Sequence, residues 1–125
     1  MTAGVDSWVI DTGSGHNLVP RTDLNAEELQ AIRPASEPLR LSTANGVIKV
    51  RDVTDCRISE FGQVLESRVL DKTLRVLSVQ QLVEKQGAAF SWTPEGAKLV
   101  MHGKTHYLLV KQGVPLLALA ALEPQ

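Results

Sequence analysis

A single cysteine, Cys56, stands in a chain of 125 residues. That excludes an internal disulfide and fits a reducing compartment, so an intracellular, cytoplasmic setting is expected. As a nucleophile Cys56 would need a nearby base that the sequence does not identify, and a half-buried strand cysteine is expected instead. Runs of Lys and Arg are lacking and the formal net charge is -1. Both argue against a nucleic-acid surface as the main function. No apolar stretch has the length of a membrane span; the last one, Val114 to Leu122, is short and carries Pro115. Met1-Thr2-Ala3-Gly4 has neither the basic nor the apolar region of a signal peptide, so none is expected. Internal repeats, low-complexity segments and linkers are also missing. One domain over residues 1–125, long enough for a real core, is expected.

What the sequence does contain is Asp11-Thr12-Gly13-Ser14, at the end of the apolar run Trp8-Val9-Ile10 and before the turn-like Gly15-His16-Asn17. A carboxylate is costly at the end of a core strand unless its burial is useful. Burial raises a carboxylate's pKa, and a second carboxylate beside it raises one of the two further. Two carboxylates sharing one proton are the arrangement of an aspartic peptidase. Asp11 is then the candidate catalytic residue. Thr12 can hydrogen-bond across a dimer axis to brace paired loops. Gly13 lets the backbone approach a partner loop and take torsions closed to other residues. Ser14 can support the loop by donating to the outer oxygen of Asp11. The plain alternative is an ordinary turn in which Asp11 accepts from nearby backbone N–H groups.

Strand signals dominate the rest. Trp8 to Asp11 reads as a first strand. Leu39 to Thr43 and Val47 to Val53 flank Ala44-Asn45-Gly46, and Asn-Gly between two β-prone runs is a strong hairpin signal. Cys56 to Phe61, Val64 to Leu70, Arg75 to Leu77, Ala88 to Trp92, Lys98 to Met101, Thr105 to Lys111 and Val114 to Leu119 complete the series. A short helix is expected from Ala26 to Ile32, with Asn25 and Glu28 as a capping box and Pro34 as its stop. A second begins after Ser78, with Gln81 completing a box, and ends at Gly87. Many short strands with one or two short helices predict a mainly β, barrel-like domain.

This order of parts resembles the retropepsin-like aspartic proteases, which implies a closed β-barrel. The closer resemblance is to proteases of copia-type retrotransposon polyproteins, in which a tryptophan-led strand runs into the catalytic motif. Trp8-Val9-Ile10-Asp11-Thr12-Gly13 is similar to that segment, and Val76-Leu77-Ser78-Val79-Gln80-Gln81-Leu82 resembles the Leu-Leu-Ser-Val-x-x-Leu segment of the same group. The resemblance runs from Ser7 to about Leu119. Two departures stand out. Only ten residues precede Asp11, too few for the N-terminal strand and hairpin of retroviral proteases, whereas about 38 follow Gly87. Rearranged, permuted-like connectivity is therefore expected, with the strands after Gly87 in place of the missing ones. Ser78 also stands where retroviral proteases carry glycine.

The resemblance implies an endopeptidase that acts on a peptide or polyprotein substrate without a cofactor or metal. With a single Asp-Thr-Gly per chain, the second carboxylate must come from a second copy in a homodimer. Ala44-Asn45-Gly46 would be the tip of a flap that closes over substrate, with Val47 beside it. Val47, Ile48, Leu77 and Val79 are candidates for specificity pockets, and equally for plain core. Neither nucleic acid nor membrane is an expected partner. His102 and His106 suit zinc only on a helix, which Gly103 disfavours, so surface or strand histidines are expected. His16 either bonds within the catalytic turn or is exposed. Trp8 and Trp92 are expected in core or interface. Two other functions compete with the active peptidase: a catalytically weak domain of the same type used for peptide binding or dimerisation, and an unrelated β-barrel binding module.

Overall fold

The computed structural model describes residues 7–43 and 46–118, and of Thr43 only the backbone. These residues form β1 (Ser7–Asp11), β2 (Leu18–Pro20), a 3₁₀ turn (Arg21–Asp23), α1 (Ala26–Gln30), β3 (Arg33–Thr43), β4 (Gly46–Ile58), β5 (Gln63–Leu70), β6 (Val76–Ser78), α2 (Val79–Gln86), β7 (Ala89–Thr93), β8 (Gly96–Met101), β9 (Lys104–Lys111) and β10 (Val114–Ala118). The mainly β character with two short helices is as expected. The expected closed barrel is not formed. The ten strands make one open mixed sheet in the order β3-β4-β5-β2-β6-β1-β10-β9-β8-β7. Its β3 edge carries Pro34 and Pro38, and pairing with β4 shifts between Pro34 and Leu39. Proline has no N–H to offer a further neighbour, so this edge resists closure and edge-to-edge pairing alike.

Three short strands place the Asp11 loop. β1 and β2 are consecutive but not adjacent. β6 lies between them, parallel to β1 and antiparallel to β2. In β1 the residues alternate, with Trp8 and Ile10 buried. Val9 and Asp11 therefore point to the other face. Beyond β1, the segment after Gly87 forms a meander whose last strand, β10, pairs with β1 on one side and β9 on the other. Leu117 lies opposite Trp8 and both are buried. The strands after Gly87 are thus integral to the sheet; Leu119, expected at the end of the last one, is outside the described residues.

Several boundaries differ from expectation. Val47 to Val53 and Cys56 to Phe61 are one strand, β4, up to Ile58. The polar Thr54-Asp55 looks like a break, but Thr54 is fully buried and donates to the Glu28 carbonyl, while Asp55 pairs with Arg33. β2 and the first half of β3 were not expected. α1 ends at Gln30, with Ala31 as its C-cap, two residues short of the expected Ile32. Its capping box forms, with Glu28 N–H on Asn25 Oδ1 at 2.7 Å and Asn25 N–H on Glu28 Oε1 at 3.0 Å.

Glu28 has a second role that the sequence did not indicate. Its carboxylate receives Arg75 in two hydrogen bonds, Nη1 to Oε2 at 3.0 Å and Nη2 to Oε1 at 2.8 Å. Both side chains are buried. Arg75 Nη2 also donates to the Asp23 carbonyl at 2.7 Å, and its guanidinium carbon lies 5.2 Å from the centroid of the Trp8 ring. Arg75 Nε, 3.5 Å from Asp23 Oδ2, makes no hydrogen bond. This cluster ties α1 to the segment that leads into β6. Burial opposes ionisation of Glu28, but hydrogen bonds from Arg75 and the Asn25 N–H hold its carboxyl below the ordinary value of 4.5. A buried pair stripped of one charge costs about 3–5 kcal/mol, because the other is left uncompensated. Glu28→Gln should therefore destabilise the fold by about that amount at neutral pH. The native pair contributes fully above pH 4.5 and its contribution is lost as pH falls through the lower folded value. Urea unfolding from pH 7 to pH 3 should show the gap between the two proteins closing on the acid side; a constant gap would contradict the pairing.

Candidate active site

Asp11 ends β1, level with Ser78 at the end of β6. Its Oδ1 accepts the Gly13 N–H at 2.7 Å. This is a tight local turn bond, of the kind Asp makes two residues on. Gly13 does not have positive φ, so the expected torsional need is not met. Its need is proximity: a Cβ there would sit 3.3 Å from Asp11 Oδ1, tighter than most contacts allow. Ser14 differs from expectation. Its hydroxyl donates to the His16 carbonyl at 2.6 Å, not to Asp11.

The loop is anchored from below by residues that sequence reasoning valued for other reasons. Ser78 Oγ donates to the Ser14 carbonyl at 2.6 Å, and the same oxygen accepts the Gln81 N–H at 3.2 Å as the α2 cap. The reciprocal half of that expected capping box is absent, because the Ser78 N–H is taken by Asn17 Oδ1; the Gln81 side chain turns to the loop, where Nε2 donates to the Gly15 carbonyl at 2.9 Å. Asn17, buried, accepts the Ser78 N–H at 2.8 Å and donates to the Glu66 carbonyl at 3.1 Å. A glycine at 78 would lack the hydroxyl that joins loop to helix. Thr12 and Gly13 project from this anchored base and are exposed, while Asp11 is half-buried.

A hollow of about 260 Å³ adjoins Asp11, lined by Val9 to Thr12, Trp92, Gly113, Val114 and Pro115. Trp92, 47% exposed, lines the same hollow as Asp11 although it is 81 residues away in sequence. The sequence signal for this was only an aromatic in a strand. Gly46 and Val47 do not line the hollow. Gly46 closes the β3–β4 hairpin opposite Thr43, with φ 115°, and Val47 is exposed. Ala44 and Asn45, the expected flap tip, lie outside the described residues. Ile48 is at the margin of exposure, Leu77 is wholly core and Val79 packs against the core.

The other candidates separate in space and in role. His102 has φ 53° and forms with Gly103 the two-residue turn between β8 and β9, its ring 2.6 Å from Gln63 Nε2. His106 meets the Phe61 ring edge-on at 4.9 Å, and burial lowers its pKa. Among the described residues no group of three or more His, Cys, Asp and Glu could hold a metal. His16 is half-buried, with its pKa lowered by burial and then by Arg68 and Lys85. Cys56 is fully buried, not half-buried, and burial followed by the Glu28 charge pushes its thiol up to about 12. It is a core residue without nucleophilic character. No helix among the described residues is long and apolar enough to cross a membrane. Compared with protein-family models and with curated proteins, the chain matches none.

Proposed function

We propose that this protein is an aspartic endopeptidase of retropepsin type with rearranged strand connectivity, active as a homodimer and processing a retrotransposon polyprotein. The observation that carries the reading is the anchored loop. Asp11 stands at a strand end with Thr12 and Gly13 exposed, on a base held by Asn17, Ser78 and Gln81. Such a base fixes a carboxylate where a second one can meet it. Each copy contributes one Asp11. The pair holds a water; one carboxylate takes its proton while the other, protonated, polarises the scissile carbonyl. The shared proton belongs to the pair. The β3–β4 hairpin serves as the flap, and the substrate lies extended beneath it.

The face that carries Asp11 supports a second copy as partner. Val9, Leu116 and Leu109 are register neighbours across β1, β10 and β9, on the same face as Asp11. Leu109 is 50% and Tyr107, two residues along, 79% exposed. An apolar band beside the catalytic loop is what a symmetric contact would cover. Specific activity should therefore fall on dilution in step with dimer dissociation, followed by sedimentation across the same series. Full activity from a monomeric species would exclude the dimeric mechanism.

A further inference from the structure

A second hollow, of about 550 Å³, lies at the base of the β3–β4 hairpin. It shares no lining residue with the one beside Asp11. Its origin is a mismatch of strand lengths. The β4–β5 register stops at Asp52 opposite Val69. β5 ends at Leu70 and the chain turns away through Asp71 and Lys72. From Val47 to Val50, β4 pairs with β3 alone among the described residues, and Arg51 falls at the shift in that register. One edge of β4 is therefore open along the hollow. An open strand edge presents backbone N–H and C=O groups to any extended chain that lies beside it.

The side chains say which chain fits. Ile48, Val50, Val69 and Leu70 supply an apolar lining. Asp52 and Asp71 are both engaged by Arg21, at 2.9 and 3.4 Å. Lys49, Arg51 and Lys72 also line the hollow and form no ion pair among the described residues. With Arg21, four cations face two carboxylates. We propose that this open edge docks an extended acidic peptide. The peptide adds to β4 as a strand, lays alternate apolar side chains on the lining, and turns its carboxylates to Lys49, Arg51 and Lys72. The site is independent of Asp11 chemistry and stands whether or not the protein cleaves peptides. By extending the hairpin's own sheet, an occupant would hold the hairpin in place.

The test is amide chemical-shift mapping on the full chain carrying Asp11→Asn, so that no probe is consumed. The probes are a capped peptide of alternating glutamate and valine, and the same peptide with lysine for glutamate. The acidic probe should shift the amides of Val47 to Arg51 and of Leu70 to Lys72, and the basic probe should not. Arg51→Glu combined with Lys72→Glu should weaken the acidic probe about tenfold or more, since like charges then face it. If that double variant does not fold, Lys72→Gln at its exposed turn should weaken binding about two- to threefold. Absence of shifts, equal shifts from both probes, shifts confined to the Asp11 loop, or affinity unchanged by the substitutions would each overturn the proposal.

Discussion

Replacing Asp11 with Asn should lower peptide cleavage by about 10²–10⁴-fold, the range spanned by a lost general acid or base, and leave the fold in place. The two halves of this expectation have separate causes. Structurally, the amide oxygen of Asn can accept the Gly13 N–H as Asp11 Oδ1 does at 2.7 Å, and Asn favours the same local turn. Asp11 is half-buried, and its carboxylate has no ion pair among the described residues. The unfolding midpoint should thus move little, by about 0.5 kcal/mol or less. Chemically, an amide cannot take the proton of the attacking water. A dyad in which both members are amides has no base at all. The unsubstituted protein should show a bell-shaped rate profile on the acid side, because only the singly protonated pair works. Cleavage by the Asn variant at the original rate, or a rate that climbs steadily into the alkaline range, would assign the chemistry to another group.

How far the sequence led depends on the range of each interaction. The capping box of Asn25 and Glu28 needs only three residues of spacing and formed as expected. Tight turns are equally local: His102-Gly103 and Gln112-Gly113 have positive φ at both positions, the backbone of two-residue hairpins, and a glycine stands in each. Non-local arrangements were not legible. Nothing in Val76-Leu77-Ser78 indicates that it inserts between β1 and β2, because both neighbours are chosen by tertiary packing. Nor does Arg75 advertise a partner 47 residues away. The closed barrel followed from strand number and from the family resemblance, and neither decides whether edges meet. Proline in β3 disfavours a further neighbour at that edge. At the candidate site, the Asp11 motif was visible as a local string. Its supports, Asn17 and Ser78, were read only as a turn residue and a helix cap, since a side chain's second hydrogen bond leaves no mark in the sequence.

Truncation after Lys111 should abolish cooperative folding, and with it any dimer. β10 is not a peripheral strand. It is the sole link between β1 and the β7–β9 meander in the sheet order. Its removal leaves β1 with an unpaired edge next to the Asp11 loop and leaves β9 with another. It also takes away buried Pro115 and Leu117, the latter opposite Trp8. Deleting a buried leucine side chain alone costs about 2–5 kcal/mol, a large part of the 5–15 kcal/mol that holds a typical domain together. Loss of the whole strand adds its ladder hydrogen bonds and two exposed edges, which favour aggregation. Leu117→Ala separates side-chain packing from strand loss. It should fold but unfold at a lower denaturant concentration, whereas the truncated chain should show no cooperative transition and should elute as aggregate. A synthetic peptide covering residues 112–125, added during refolding, should restore a cooperative transition by refilling the gap between β1 and β9. If the truncated protein is soluble and unfolds at the same midpoint as the full chain, then β10 does not hold the two parts of the sheet together. The apolar band through Val9, Leu116 and Leu109 would then lose its place in the proposed dimer.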